Sequence, residues 1–175
     1  LVLATLPAVV LGLAFDSLLE RLFTAPLTAA GFLAVTGFIL FSTRWTGPRA
    51  DGEITTRRGF LVGIAQAFAM LPGISRSGST IAAGLALGIR REQAARFAFL
   101  LAVPALLGAA LFDTLKIESL AAVDWPVVLA GTAAAFLSGW ICLIWLLKLL
   151  ARDTFWKFCW YCWGASILGV ALFIR

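Results

Sequence analysis

The sequence predicts an all-α membrane protein that crosses the bilayer several times, and three observations lead to this prediction. Hydrophobic residues make up 62% of the 175 residues and charged residues only 13%, whereas about a quarter of the residues in a soluble domain are charged. The mean hydropathy is +0.99. Apolar runs alternate with short charged segments along the whole chain, which indicates a single integral membrane domain over residues 1–175.

The apolar runs predict about five transmembrane helices. The first run, residues 1–15, reads as the end of a helix, and a short polar turn at 16–21 separates it from the next run at 23–43. A solvated loop follows at 44–58. After a central segment, three further apolar runs occupy residues 94–112, 125–150 and 155–174. These runs have about the length that a helix needs to cross a hydrocarbon core.

The central segment, residues 59–89, contains two apolar stretches that are each too short to span a membrane. Residues 59–70 (GFLVGIAQAFAM) and 81–89 (IAAGLALGI) flank the polar sequence LPGISRSGST at 71–80. At ~1.5 Å per residue, neither stretch covers a core of about 30 Å. Irregular backbone at membrane depth occurs only where it is buried in protein or lines a wet cavity. The segment therefore predicts a re-entrant helix-loop-helix hairpin over residues 59–89.

The basic residues favour this hairpin. If residues 59–89 enter and leave on one side, ten basic residues fall on that side and three on the other; if the segment crosses, the sides are nearly even. Basic residues accumulate in cytoplasmic loops. We therefore expect the hairpin to enter from the cytoplasm, its tip to lie near the midplane, and the C-terminus to lie outside. The ten residues are Arg44, Arg49, Arg57, Arg58, Arg90, Arg91, Arg96, Lys148, Arg152 and Lys157.

The polar loop combines residue types that bind anions. The first-turn amides of a helix lack intrahelical acceptors, and the helix dipole adds about half a positive charge there. Gly73 and Gly78 let the backbone approach a ligand, and the guanidinium of Arg76 suits phosphate oxygens. Four hydroxyls accompany them, on Ser75, Ser77, Ser79 and Thr80. An alternative stays open, in which the hydroxyls only cap a helix and Arg76 pairs with a carboxylate such as Glu92.

Three further features bear on the function. The amide of Gln66 needs partners if it is buried, and we expect it to brace the loop backbone, with direct substrate contact as the alternative. The chain contains no histidine, which excludes phosphatases that use a histidine nucleophile. Cys159-x-x-Cys162 has no second ligand pair for zinc, so we expect Cys142, Cys159 and Cys162 to be packing residues.

The central segment resembles the second signature motif of the undecaprenyl-pyrophosphate phosphatase family, the bacitracin-resistance type. The shared pattern, from Gly63 to Thr80, is G-x-x-Q-x-x-A-x-x-P-G-x-S-R-S-G-x-T, and RFAFLLAVP at residues 96–104 is similar to the family's next helix. The order of apolar runs also fits that family's C-terminal portion. The fold that the resemblance implies is part of a pair of interlocked inverted repeats, each with one re-entrant hairpin.

The resemblance implies an undecaprenyl-diphosphatase, a membrane hydrolase that acts on phosphorus-containing anhydrides. The family cleaves the lipid carrier undecaprenyl pyrophosphate to the monophosphate and phosphate at the outer face of the bacterial plasma membrane, so that the carrier is recycled for peptidoglycan synthesis. By the resemblance, Arg76, Ser75 and Ser77 are catalytic, and Gln66 and Pro72 support them. The implied phosphate contacts are Gly73, Ser75, Arg76, Ser77, Gly78, Ser79 and Thr80.

The chain departs from the family pattern because the first-repeat motifs, an acidic E-x-x-x-E stretch and P-x-S-S-T-G-H, do not occur. The chain also starts at Leu1 inside an apolar run. We therefore expect an N-terminally truncated piece of a longer protein. Mg²⁺ or Ca²⁺ prefers oxygen ligands, so the family's divalent cation would be bound by the missing part, with no metal ligand in this chain. We expect the 175 residues alone to be inactive.

An anion channel or transporter is the alternative function, because half-helix N-termini and serines also hold ions in transit. For the phosphatase, the expected partners are a polyprenyl pyrophosphate lipid and the membrane, without nucleic acid. A homodimer, the choice of cation, the preferred lipid length, and attack by a serine or by a metal-bound water all stay open at this point.

Overall fold

The computed structural model of the chain describes residues 1–46, 52–115, 124–152 and 154–173. Within these ranges the chain is helical, and the one β-type contact is an isolated bridge between Gly52 and Ile89. The helices are α1 (Val2–Ala14), α2 (Asp16–Phe23), α3 (Pro26–Thr46), α4 (Thr56–Phe68), α5 (Arg76–Ala86), α6 (Arg91–Leu115), α7 (Trp125–Ala151) and α8 (Phe158–Phe173), with a 3₁₀ turn at Phe155–Lys157 before α8.

The predicted all-α class is confirmed, and within the described ranges three helices are long and apolar enough to cross a membrane. They are α3, the Arg91–Leu111 part of α6, and α7. Helix α1 is apolar but shorter, and α8 has 16 residues after its 3₁₀ turn. The chain is therefore a membrane protein by composition and helix length, while the predicted number of about five spans stays a prediction.

Several predicted boundaries were wrong, each because a local signal was underestimated. Residues 16–21 were predicted as a turn but belong to α2, since leucines at 18, 19 and 22 recur at helical spacing. Helix α3 runs on to Thr46, and α4 starts at Thr56 after the N-cap Thr55, whose side chain accepts from the Arg58 N–H. The loop predicted at 44–58 is thus helical at both ends. Helix α5 starts at Arg76 rather than at residue 81.

Helix α3 forms the centre of the packing, with α8 on one side and α5 on another. The Trp163 indole donates to the Ala34 carbonyl at 3.2 Å, and the Ser166 hydroxyl donates to the Ala30 carbonyl at 2.7 Å. Cys159 and Cys162 are buried in the hydrophobic core, in one cluster with Leu40 of α3, as expected for packing cysteines. Cys142, predicted to pack as well, is exposed.

Helices α4 and α5 form a pair whose two outer ends meet. At ~1.5 Å per residue, their 13 and 11 residues are only about 20 and 16 Å long. The N–H of Gly52, before α4, donates to the Gly88 carbonyl, and the N–H of Arg90 donates to the Gly52 carbonyl, each at 2.9 Å. The chain therefore enters and leaves this helix pair at one place. Helix α1 packs along α4, and α6 packs against α5.

Candidate functional site

The polar sequence lies in the link between α4 and α5 and in the first turn of α5. Gly73 has φ +92°, a left-handed conformation that favours glycine, and a Cβ atom there would overlap the Ala29 carbonyl of α3. Pro72 beside it is buried. The link is thus pressed against α3, and only a glycine fits at its closest approach.

One threonine on α3 holds the link by two hydrogen bonds. The Thr36 hydroxyl donates to the Gly73 carbonyl at 2.9 Å and accepts from the Ser75 N–H at 3.0 Å. Its side chain is 1% exposed. Sequence reasoning missed this residue, because its partners lie 37 and 39 positions away in the chain. The one available signal was a threonine in the middle of an apolar span.

Ser75 is the N-cap of α5. Its hydroxyl oxygen accepts from the Gly78 N–H at 3.1 Å, and its carbonyl accepts from the Ser79 N–H at 2.9 Å. The N–H groups of Arg76 and Ser77 have no acceptor within the described part of the chain. Two consecutive amides therefore remain free at the positive end of the helix dipole.

The Arg76 side chain lies at this helix end, half-buried and without an ionic partner in the ranges that the structure describes. The alternative pairing with Glu92 is not found, because Glu92 pairs with Arg96 at 2.6 Å on the outside of α6. An unpaired guanidinium beside free amides is an electrostatic site for an anion.

The remaining hydroxyls divide into two groups. Ser77 is exposed beside Arg76, on the same first turn. Thr80 is 1% exposed, and its hydroxyl lies 2.9 Å from the Arg76 carbonyl and 3.2 Å from the Ser77 carbonyl, to which it donates. Gly78 and Ser79 are also buried. The structure thus places Arg76 and Ser77 at the surface of the site, and Gly78, Ser79 and Thr80 on the packed side of α5. Their predicted phosphate contacts stay predictions.

Gln66 does not brace the loop as expected. It is 1% exposed, and neither its amide nitrogen nor its amide oxygen has a hydrogen-bond partner among the described residues. Thr36 supplies the brace instead. Because buried amides are almost always paired, the Gln66 amide retains the capacity to bind a group that these residues do not provide.

A cavity of about 350 Å³ opens beside the loop, between α3, α4 and α5. Ser79, whose hydroxyl has no partner in the described residues, contributes to its wall. The other lining residues are mostly apolar: Ile39, Ser42, Ala65, Phe68, Ala69, Ile74, Ala82, Ala83 and Ala86. An apolar groove therefore starts at the loop residue Ile74 and continues along α5.

The described residues do not form a cation site by themselves. A hard divalent cation takes several oxygen ligands. No three Asp, Glu, Cys or His side chains come together in the ranges that the structure covers. Glu53 and Glu92, the acidic residues near the base of the helix pair, are exposed and form ion pairs with Arg90 and Arg96.

The described residues form a helical membrane protein in which the N-terminus of α5 carries unpaired hydrogen-bond donors. The chain belongs to the bacitracin resistance protein BacA family, whose profile matches residues 1–168. A protein of Methanothermobacter thermautotrophicus named undecaprenyl-diphosphatase is 43% identical, over 98% of both chains. Undecaprenyl-diphosphatases of Methanobrevibacter smithii and Desulfatibacillum aliphaticivorans are 39% and 37% identical over 99% of this chain, which spans 62% and 64% of their lengths.

These comparisons confirm the family that the motif predicted. The names of the relatives also agree with the predicted enzyme class, a phosphatase of undecaprenyl diphosphate.

Proposed function

We propose that this protein hydrolyses undecaprenyl pyrophosphate to undecaprenyl phosphate and phosphate, with the pyrophosphate bound at the N-terminus of α5. The observation that carries the proposal is the set of unpaired donors there, namely the Arg76 and Ser77 amides and the Arg76 guanidinium. Family membership and the names of the relatives support the reaction.

Each donor has a definite task in this reaction. Phosphoryl transfer depends on positioning and on stabilising charge that spreads over the phosphate oxygens. The free amides would hold one phosphate, and the planar guanidinium of Arg76 would stabilise the oxygens of the phosphoryl group that is transferred. The exposed Ser77 hydroxyl contributes a further donor, and the Ser75 hydroxyl, which accepts from Gly78, keeps its own proton free to donate. The apolar cavity beside Ile74 suits the prenyl part of such a lipid.

A divalent cation, Mg²⁺ or Ca²⁺, would supply charge neutralisation between the phosphates. Because the described residues form no acidic cluster, we propose that its ligands lie outside them. Residues 1–175 alone should then show almost no phosphate release in detergent with either cation. Co-expression with the part of the Methanobrevibacter smithii relative that lies outside the match should restore release. Cation-dependent turnover by the 175 residues alone would contradict this part of the proposal.

The test of the reaction is phosphate release from a polyprenyl pyrophosphate by the full-length protein in detergent. A hydrolase acts on lipid in micelles, whereas a channel or transporter needs a sealed vesicle to show transport. We expect release in micelles and its loss in the Arg76→Ala variant. Anion flux across sealed vesicles without hydrolysis in micelles would favour the transporter instead.

We also propose that α4 and α5 form a re-entrant hairpin that enters the plasma membrane from the cytoplasm, with the C-terminus outside and the active site open to the outer face. The joining of Gly52 to Gly88 and Arg90 supports a common entry and exit. Single cysteines that replace Glu53 and Arg152 should be labelled only from the cytoplasm, and one that replaces Ser119 only from outside. Labelling of the first two from opposite faces would mean that the segment crosses the membrane.

A further inference from the structure

Thr36 connects α3 to the candidate site through a single hydroxyl that uses both its hydrogen-bonding capacities. The hydroxyl donates to the Gly73 carbonyl and accepts from the Ser75 N–H, at 2.9 and 3.0 Å. It also lies 3.3 Å from the carbonyl of Phe32 on its own helix. Thr36 itself is 1% exposed, so its hydroxyl has little contact with solvent.

These two bonds decide which backbone groups remain for a ligand. The Ser75 N–H is one of the amides at the start of α5 that the helix itself leaves unpaired, and Thr36 uses it for docking. The free amides are therefore those of Arg76 and Ser77. The second bond ties the Gly73 carbonyl to Thr36 on α3. This carbonyl is an acceptor, and it would repel an anion if it pointed at the ligand.

We propose that Thr36 is a positioning residue for pyrophosphate hydrolysis, which fixes the Gly73–Ser75 backbone so that the Arg76 and Ser77 amides and the Arg76 side chain converge on the phosphate. The inference rests on the proposed function. Thr36 itself touches no substrate in this account. Its contribution is to hold the donor groups of α5 in their positions. A displacement of about 1 Å in a site of this kind costs roughly 10²-fold in rate.

Helix α3 offers a matched control. Thr43 is also buried, at 5% exposure, but its hydroxyl donates only to Leu40 on its own helix, at 2.7 Å. Replacement by valine keeps the shape at either position and removes the hydroxyl. Thr36→Val therefore breaks the docking of the loop, while Thr43→Val removes a local bond of similar burial.

The experiment measures kcat and KM for polyprenyl pyrophosphate, and the inhibition constant of methylenediphosphonate, in full-length variants at a temperature at which each is folded. We expect Thr36→Val to lower kcat/KM by roughly 10²-fold and to weaken diphosphonate inhibition. Thr36→Ser should restore most of both, and Thr43→Val should stay within about twofold of the unsubstituted protein, because a purely local bond on α3 does not position donors. Equal kcat/KM in the two valine variants overturns the proposal, and so does an equal loss in Thr36→Ser and Thr36→Val, which would indicate packing instead of the hydroxyl.

A measurement on the unsubstituted protein covers the case in which Thr36→Val fails to fold. With ¹⁵N-serine labelling, the Ser75 amide should exchange its proton with solvent much more slowly than the Ser77 amide, since only Ser75 is bonded to Thr36. Equally fast exchange at both serines overturns the positioning role. If no variant or unsubstituted protein hydrolyses the lipid at all, the proposed function fails, and this exchange experiment still decides whether the Thr36 bond exists.

Discussion

The start of α5 and the body of α8 both carry polar groups next to apolar residues. The polar groups of α8 are hydrogen-bonded to α3, whereas several of those at the start of α5 are unpaired. In α8, the Trp163 indole and the Ser166 hydroxyl each donate to a carbonyl of α3. At the start of α5, the Arg76 guanidinium and the amides of Arg76 and Ser77 have no partner in the part of the chain described. Unpaired first-turn amides are usual at a helix start, but here an unpaired guanidinium lies beside them, and this combination is suited to binding an anion.

Hydrogen bonding therefore distinguishes structural residues from candidate site residues, whatever their residue type. Trp163 and Ser166 of α8 attach that helix to α3, and their loss should affect stability. The donors of α5 contribute nothing to packing in their unpaired state, and their loss should affect chemistry. Helix α3 belongs to both regions, since Ala30 and Ala34 hold α8 while Ala29 and Thr36 contact the loop.

The largest effect should come from Arg76. Arg76→Ala removes the unpaired guanidinium, and Arg76→Lys keeps the charge but loses the planar pair of donors. We expect either change to lower kcat by roughly 10²–10³, the size of one transition-state donor. The measurement is phosphate release in detergent, with unfolding temperature as the check on folding.

Arg90→Ala is the control for this prediction. Arg90 lies at the base of the same helix pair and forms an exposed ion pair with Glu53 at 3.7 Å, and such pairs contribute little. Its removal should leave turnover nearly unchanged. Near-normal hydrolysis by well-folded Arg76→Ala would contradict a role for Arg76 in phosphate binding.

Gly73→Ala should have the next largest effect, on both activity and stability. Alanine at φ +92° is disfavoured by about 1–2 kcal/mol, and its Cβ would overlap the Ala29 carbonyl. The loop must then move away from α3, which displaces the donors. Gly88→Ala provides the comparison, since Gly88 has φ +77° but no atom closer than 4.0 Å to an added Cβ. Both variants should be less stable in denaturant, and only Gly73→Ala should lose activity; a shared loss of activity would argue against a special role for the loop.

The smallest effect on chemistry should come from Ser166→Ala in α8. This change removes the hydroxyl that donates to the Ala30 carbonyl, which keeps its partner within α3, and the unfolding free energy should fall by about 0.5–1.5 kcal/mol. Turnover at a temperature below unfolding should not change. Ser138→Ala is the matched control, since the Ser138 hydroxyl is exposed and bonds only within α7; it should change neither quantity. A drop in turnover for Ser166→Ala without loss of stability would contradict the purely structural role assigned to Ser166.

Much of the fold could be predicted because it depends on local properties of the chain. The apolar runs predicted helices, and the polar break with its two short flanks predicted a helix pair, which the structure contains as α4 and α5. Helix ends were less accurate. Ser75 caps α5 so effectively that the helix begins at Arg76, within the sequence that was assigned to the loop.

The site was predicted only in part, for a physical reason. Arg76 and the serines follow from residue chemistry at a helix start, which is local. The docking of the loop depends on contacts between residues far apart in the chain, and Thr36 became visible only through its bonds to Gly73 and Ser75. Gln66 shows the opposite error, since its amide was expected to reach the loop and has no partner in the described ranges.

The most direct test of the account is whether a diphosphate binds to the free amides of α5. The measurement is the ¹⁵N–¹H spectrum of full-length protein labelled with ¹⁵N-arginine and ¹⁵N-serine in micelles, titrated with methylenediphosphonate and the activating cation. We expect the Arg76 and Ser77 amides to shift most, the Ser75 amide, already bonded to Thr36, to shift less, and Ser138 on α7 to remain unchanged. Saturable inhibition of turnover without any shift at Arg76 and Ser77 would contradict the central claim.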